Sequence, residues 1–256
     1  MDLKLKGKKA LVTGGTRGIG RAIADTLADE GVDVAICARN EKEIEEAVAA
    51  LKKKGVNALG AAVDIADGGR LQAWIEEAGK ALGGIDILIV NASALSNGNT
   101  QEAWRAAFEI DILGFVHAFD AARPFLEDAA RRTGDASAII ISSAGAAETK
   151  YANSYGAAKA AQIHLVKGLA YENAARRVRV NAVSPGTVYF EGGIWHRIKT
   201  HNPAMYEEFL RTNPTGRMAS VQEIANTVVF VASPAASFTT GANMLVDGAM
   251  TVRVNF

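Results

Sequence analysis

Ser142, Tyr155 and Lys159 are the residues of this chain whose types and spacing make a proton-transfer device. Tyr155 and Lys159 lie four apart, so on a helix they share a face, one turn from each other. A free phenol, with a pKa of about 10, exchanges protons poorly at neutral pH. An ammonium held one turn away favours the phenolate form and makes such a group usable as a general acid or base. Ser142 stands thirteen positions before Tyr155, at the end of an apolar run. A hydroxyl there donates to an oxygen on which negative charge develops. Ser143 beside it is an alternative donor. Tyr151 lacks the arrangement, since the residue four on from it is Tyr155 and not a lysine.

A second constellation lies near the N-terminus, in Thr13-Gly14-Gly15-Thr16-Arg17-Gly18-Ile19-Gly20. It follows a β-like run and opens a helical pattern, the context that gives a glycine fingerprint meaning. Glycines at 14, 18 and 20 let the backbone turn sharply, approach a pyrophosphate and pack a helix close to a strand. The helix N-terminus then offers unpaired N–H groups and a partial positive charge to phosphate. The spacing is Gly-x3-Gly-x-Gly. A site for NAD wants a carboxylate at the end of the second strand, for the ribose hydroxyls. Here that end reads Cys37-Ala38-Arg39-Asn40, with an arginine and no acid. Arg17 adds a second guanidinium, and planar guanidinium groups suit a 2′-phosphate. The expected cofactor is NADP(H). Asp64, after the third strand, either accepts from the adenine amino group or caps the next segment. Ile19 and Ile65 complete this half of the expected site.

The elements that must position these groups alternate. Strands are expected at Lys9–Thr13, Val32–Cys37, Ala58–Val63, Ile85–Val90, Ser137–Ile141, Val178–Val183 and Met244–Val246. Helices are expected at Gly18–Glu30, Glu41–Lys54, Gly69–Leu82, Gln101 to about Arg132, Ser154 to about Ala175, and Val221–Val231. Apolar strands without alternation imply burial on both faces. Strict β–α alternation then implies α/β architecture, a parallel sheet with helices on both sides. The exception is Gly186–Gly216, which holds Tyr189, Phe190, Trp195, Tyr206 and Phe209. It reads as a substrate lid over about 187–216, with a short helix around Ala204–Arg211; a surface hairpin of helices is the alternative.

Composition narrows the class. The 256 residues are 49% hydrophobic, enough for a sizeable core, and the formal net charge is zero. No basic excess points to nucleic acid or an anionic membrane surface. The longest apolar runs fall short of the ~18 residues of a membrane span, and Met1–Lys6 lacks the apolar stretch of a signal peptide. One cysteine, Cys37, in an apolar run, reads as core and fits a reducing compartment. A soluble, cytoplasmic protein is expected. Four scattered histidines offer only His196-x4-His201, too weak for a metal site.

With these residues in view, the chain resembles the short-chain dehydrogenase/reductases over nearly its whole length. The resemblance rests on Thr13–Gly20, Asp64, Asn91-Ala92, Ser142, Tyr155/Lys159, Asn181, Pro185-Gly186, Gly241 and Val246-Asp247-Gly248. The Cys-x-Arg-Asn after the second strand is similar to NADPH-dependent ketone reductases such as the tropinone reductases and the 3-oxoacyl-carrier-protein reductases. The resemblance implies one Rossmann domain over 1–256 with a seven-stranded, doubly wound parallel sheet. Its cofactor half would run to about 135 and its catalytic half from about 136. It also implies a tetramer, with the helices around 101–130 and 154–175 at an interface. Asn91, Ala92, Tyr155, Lys159, Pro185, Gly186 and Val188 join the expected cofactor site, with Lys159 also holding the nicotinamide ribose. Ser93, Ser143, Tyr189, Phe190 and Trp195 join the expected substrate pocket.

Three departures stand out. The family's Asn-Asn-Ala-Gly is Val90-Asn91-Ala92-Ser93 here, which reshapes the wall near the nicotinamide ribose. The family's fourth catalytic residue, an asparagine that holds a water in a relay to the lysine, is Asp111 here. A carboxylate accepts from water and lysine but does not donate when ionised. The family's threonine for the nicotinamide carboxamide is Phe190 here. That leaves the contact to main-chain groups near Val188, or turns Phe190 into pocket wall. The expected activity is interconversion of a ketone and a secondary alcohol, on an apolar substrate or an acyl thioester. Reduction of a conjugated C=C bond in an acyl thioester, and non-catalytic NADP(H) sensing, are the alternatives.

Overall fold

Seven short strands form one parallel sheet in a computed structural model of the chain, which describes residues 1–147 and 151–252. They are β1 (Lys9–Thr13), β2 (Asp33–Ala38), β3 (Ala58–Ala62), β4 (Ile87–Val90), β5 (Ala136–Ile141), β6 (Val178–Pro185) and, after a two-stranded outlier, β9 (Asn243–Val246). Their spatial order is β3-β2-β1-β4-β5-β6-β9. The chain winds one way from β1 to β3, then returns to pair β4 with β1, Ala10 opposite Ile87. A crevice opens at that switch, beyond the carboxyl ends of β1 and β4, the usual ligand site of such sheets.

Side chains leave each strand alternately up and down, and both sides are covered. Leu11, Ala35, Leu88 and Ile140 face one core with Trp74, Phe115, Phe119 and Val166. These come from α3 (Gly68–Leu82), α5 (Gly114–Thr133) and α6 (Ser154–Asn173). Val12, Ile36, Ile89 and Val183 face the other, with Ile23, Leu27, Leu51 and Val228. Those come from α1 (Gly18–Asp29), α2 (Glu41–Lys52) and α9 (Val221–Ala232). Burial on both faces is why β1, β2, β4 and β5 read as nearly unbroken apolar runs, whereas the edge strands β3 and β9 are partly exposed.

The expected helix from Gln101 to about Arg132 is in three parts. After α4 (Gln101–Ala106) the residues Ala107–Leu113 form a π-helical turn before α5 begins. The wider turn shifts the register and carries Asp111 into the interior while Phe108 stays exposed. Such turns concentrate at functional sites. The stretch after β6 is more ordered than a loop. It contains β7 (Val188–Tyr189), α7 (Ile194–His201), α8 (Pro203–Thr212) and β8 (Ala219–Ser220), with β7 and β8 paired in parallel. The short helix expected at Ala204–Arg211 is α8, and α7 before it makes the pair of helices that the alternative reading of this stretch described. Among the described residues, no helix is long and apolar enough to cross a membrane.

Candidate active site

The turn after β1 is built by what its glycines lack. Gly14 and Gly18 hold positive φ, +66° and +58°, which favours glycine. A Cβ at Gly20 would collide with the Gly14 carbonyl oxygen and with Asn91. Gly20 is therefore buried under the turn and shapes it without lining the cavity, unlike Gly14 and Gly18. Behind the turn, the Cys37 carbonyl accepts from the N–H groups of Gly14 and Gly15. Asn91 at the end of β4 donates to the carbonyls of Thr13 and Gly14, at 3.1 Å each. Side chains cap the N-termini of α2, α3, α4, α6, α8 and α9, but none caps α1. Its first N–H groups face a cavity of about 670 Å³.

Along this cavity the expected residues fall in order. At one end are Thr16, Arg17, Arg39 and Asp64; Ile19, Ile65, Asn91 and Ala92 follow. Ser142, Ser143, Tyr155, Lys159, Pro185, Gly186 and Val188 close the other end. The Arg17 and Arg39 side chains are exposed and pair with no other described residue. Asp64 uses Oδ1 to accept from the Ala66 N–H at 3.1 Å, so it caps its own turn while still facing the cavity. One acid was missed. Glu43, on α2, lines the same end and accepts from the Thr16 hydroxyl at 3.0 Å. It lies one turn beyond the strand end where the carboxylate was sought. The signal was its place at the third position of α2, where Asn40 caps its N–H.

At the other end, Lys159 is 2% exposed, yet its ammonium reaches the cavity wall. It donates to the Ile141 carbonyl at 2.9 Å and meets Asp111 Oδ1 at 3.0 Å. The latter is paired by charge rather than by an aligned hydrogen bond. The ammonium lies 5.7 Å from the centre of the Tyr155 ring. The Ser142 hydroxyl donates to the Lys159 carbonyl at 2.9 Å. It must rotate to donate toward the cavity. Ser143 accepts from the Gly145 N–H and leaves its own proton uncommitted. Asp111 is buried and does not line the cavity; it acts on Lys159 from behind.

The lid residues divide by strand alternation. Val188 and Phe190 face the cavity, and Tyr189 between them faces away. Tyr189 is therefore not a pocket residue: it packs edge-on against His196 and Tyr206, with the Lys199 ammonium 5.4 Å from both tyrosine rings. Phe190 does line the cavity, and its ring stands against Gly18 and Gly193. Trp195 lines it too and is backed by Phe209 at 4.8 Å. Leu95, Ser96 and Ile110 complete this wall and were not anticipated.

The whole arrangement has relatives. Residues 14–251 match the family model described as enoyl-(acyl carrier protein) reductase. Isoepoxydon dehydrogenase of Penicillium expansum is 38% identical over 98% of both chains. The 3-oxoacyl-(acyl-carrier-protein) reductase of Staphylococcus aureus is 33% identical over 95% of this chain and 98% of its own. The crystal structure of L-sorbose reductase from Gluconobacter frateurii, complexed with NADPH and L-sorbose, superposes with a TM-score of 0.90 at 31% identity, covering 99% of this chain and all of the other. A match that runs from the glycine turn to the last strand, in sequence and in fold alike, places this chain in the short-chain dehydrogenase/reductase family.

Proposed function

We propose that the protein is an NADP(H)-dependent oxidoreductase that interconverts a ketone and a secondary alcohol, with Tyr155 as general acid and base. The observation that carries this is the Lys159 ammonium, fixed between Ile141 and Asp111 beneath the Tyr155 ring, in the cavity that begins at the glycine turn. The residues fit the cofactor. The turn leaves the room that a Cβ would take, the start of α1 is uncapped, and two free guanidiniums stand where a 2′-phosphate would lie. Pro185, Gly186 and Val188 would hold the nicotinamide end, and Lys159 the ribose hydroxyls. When bound, the cofactor supplies or accepts hydride at the substrate carbon.

The chain's own residues handle the proton. Ser142, with its hydroxyl rotated from the Lys159 carbonyl, holds the substrate oxygen. Tyr155 gives that oxygen a proton in reduction and takes it back in oxidation. Lys159 keeps a positive charge beside the phenol. The wall formed by Leu95, Ile110, Phe190, Ile194 and Trp195 excludes water and favours an apolar ketone, with Ser93 and Ser96 as the few polar contacts. A 3-oxoacyl thioester is the second substrate class. The exposed Trp104 and Phe108, on the 101–133 segment, support a tetramer with that face at an interface. A cytoplasmic location fits the single free thiol.

The test is NADPH and NADH oxidation over a panel of cyclic, aryl and sugar ketones and 3-oxoacyl thioesters, with Tyr155→Phe as control. NADPH-dependent turnover that falls about 10²- to 10⁴-fold in the variant is expected. The description of the matched family model motivates adding enoyl thioesters to the panel. Turnover on those alone would replace ketone reduction with C=C reduction.

A further inference from the structure

We propose that Asp111 is a positioning residue that joins the substrate wall to the catalytic lysine, and that it must be a carboxylate to do so. The inference rests on the reductase reading above. Asp111 is 1% exposed and stands between two donors. Oδ1 faces the Lys159 ammonium at 3.0 Å, and Oδ2 accepts from the Ala94 N–H at 3.1 Å. Its main-chain carbonyl accepts from Gln162 Nε2 at 2.6 Å, which pins the π-helical turn to α6.

Ala94 belongs to the loop that follows β4 and forms part of the cavity wall. The next residue, Leu95, has φ +49° and is 55% exposed. A bulky side chain holds such a conformation only where its surroundings over-determine it. Two straps do so here. Asp111 holds Ala94 on one side. On the other, the Ser154 hydroxyl donates to the Ser96 carbonyl at 2.6 Å, and the Ser154 N–H donates to the Gly98 carbonyl at 2.9 Å. Leu95 is thus held out on the cavity wall, where its side chain meets substrate.

Asparagine, the usual residue of the family at this position, does not meet this demand. Its amide has one acceptor oxygen and one donor NH₂. One orientation turns the NH₂ toward the ammonium, and the other turns it toward the Ala94 N–H. Either leaves a buried donor facing a donor, which costs more than a missing bond. Restoring the family's asparagine should therefore impair this enzyme.

The experiment compares Asp111→Asn, Leu95→Gly and the double variant with the wild-type protein, on the best substrate of the panel. For Asp111→Asn we expect kcat/KM to fall about tenfold or more, with KM rising and the NADPH Kd within about twofold. Leu95→Gly, which accepts positive φ, should raise KM more than it lowers kcat. In the Leu95→Gly background, Asp111→Asn should raise KM little further, because the wall it positions is gone. Amide exchange in the 93–98 segment of the free protein should quicken in Asp111→Asn, a readout that needs no turnover. Exchange unchanged there overturns the bracket, as does an Asp111→Asn enzyme with wild-type KM and kcat. Unchanged KM for every substrate in Leu95→Gly overturns the wall, whether or not Asp111→Asn folds. Absence of turnover by the wild-type protein on every ketone and 3-oxoacyl thioester would instead defeat the reductase reading and leave the exchange result to judge the bracket.

Discussion

The two ends of the cavity are built on opposite terms. At the catalytic end, Lys159, Asp111 and Ser142 are buried, and each polar group is already shared with a neighbour. At the phosphate end, Arg17 and Arg39 are exposed and unshared, with Glu43 set among them. The first end is organised by the fold before any ligand arrives; the second is completed by the ligand. Substitutions should therefore cost stability and chemistry together at the first end, and affinity alone at the second.

Lys159→Met is the strongest way to break this contrast. It leaves Asp111 as a buried carboxylate with no cation, and removing one partner of such a pair costs about 3–5 kcal/mol. Turnover should vanish, and denaturant unfolding should show a loss of that order. A variant as stable as the wild type would mean that the catalytic end is not preassembled. Arg39→Ala sharpens the other half. Each charge-assisted bond to phosphate contributes about 1.5–3 kcal/mol. The NADPH Kd should rise about ten- to a hundredfold by calorimetry, while the NADH Kd and the Tm barely move. Equal weakening of both cofactors would remove the 2′-phosphate assignment. Glu43→Gln should act in the opposite direction and more weakly. Deleting one partly exposed negative charge near the phosphate should tighten NADPH about two- to fivefold, and less at high salt. Looser NADPH binding would mean that Glu43 serves by fixing Thr16.

The same contrast explains what the amino-acid sequence disclosed. The glycine turn, Ser142, Tyr155 and Lys159 were legible because local spacing decides their geometry: a strand end, a tight turn, one helical turn. The sheet was legible because burial on both faces leaves apolar runs in β1, β2, β4 and β5. Tyr189 was misplaced because β7 is only two residues long. Its alternation, which turns Val188 and Phe190 inward, has no period to read. The π-helical turn was invisible, since an extra residue in a helix leaves no compositional mark; the family resemblance alone put Asp111 near Lys159, and its bond to the Ala94 N–H carried no signal. Glu43 and Leu95 reach the cavity through tertiary packing of α2 and through a strained loop. Neither carries a motif.

Cys37 belongs to both regimes and makes the smallest functional prediction. Its carbonyl holds the glycine turn, a main-chain role that any residue supplies, while its thiol faces the core. Burial pushes the thiol from its ordinary value of 9.0 up to about 12, against a smaller lowering by the Gly14 N–H. Because the folded value is the higher one, the thiol's contribution to stability is complete below pH 9.0. It is lost as pH rises from there toward 12. At pH 10.5 the loss from this group should be about 2 kcal/mol, at 1.36 kcal/mol per unit. Urea unfolding of wild type and Cys37→Ala at pH 8 and pH 10.5 isolates it, since lysines and tyrosines titrate alike in both. The alanine variant should lose less stability between the two pH values, with cofactor affinity little changed. Equal losses would mean that the thiol reaches water. In that case, iodoacetamide would label the folded protein at pH 8, where a closed core leaves it untouched.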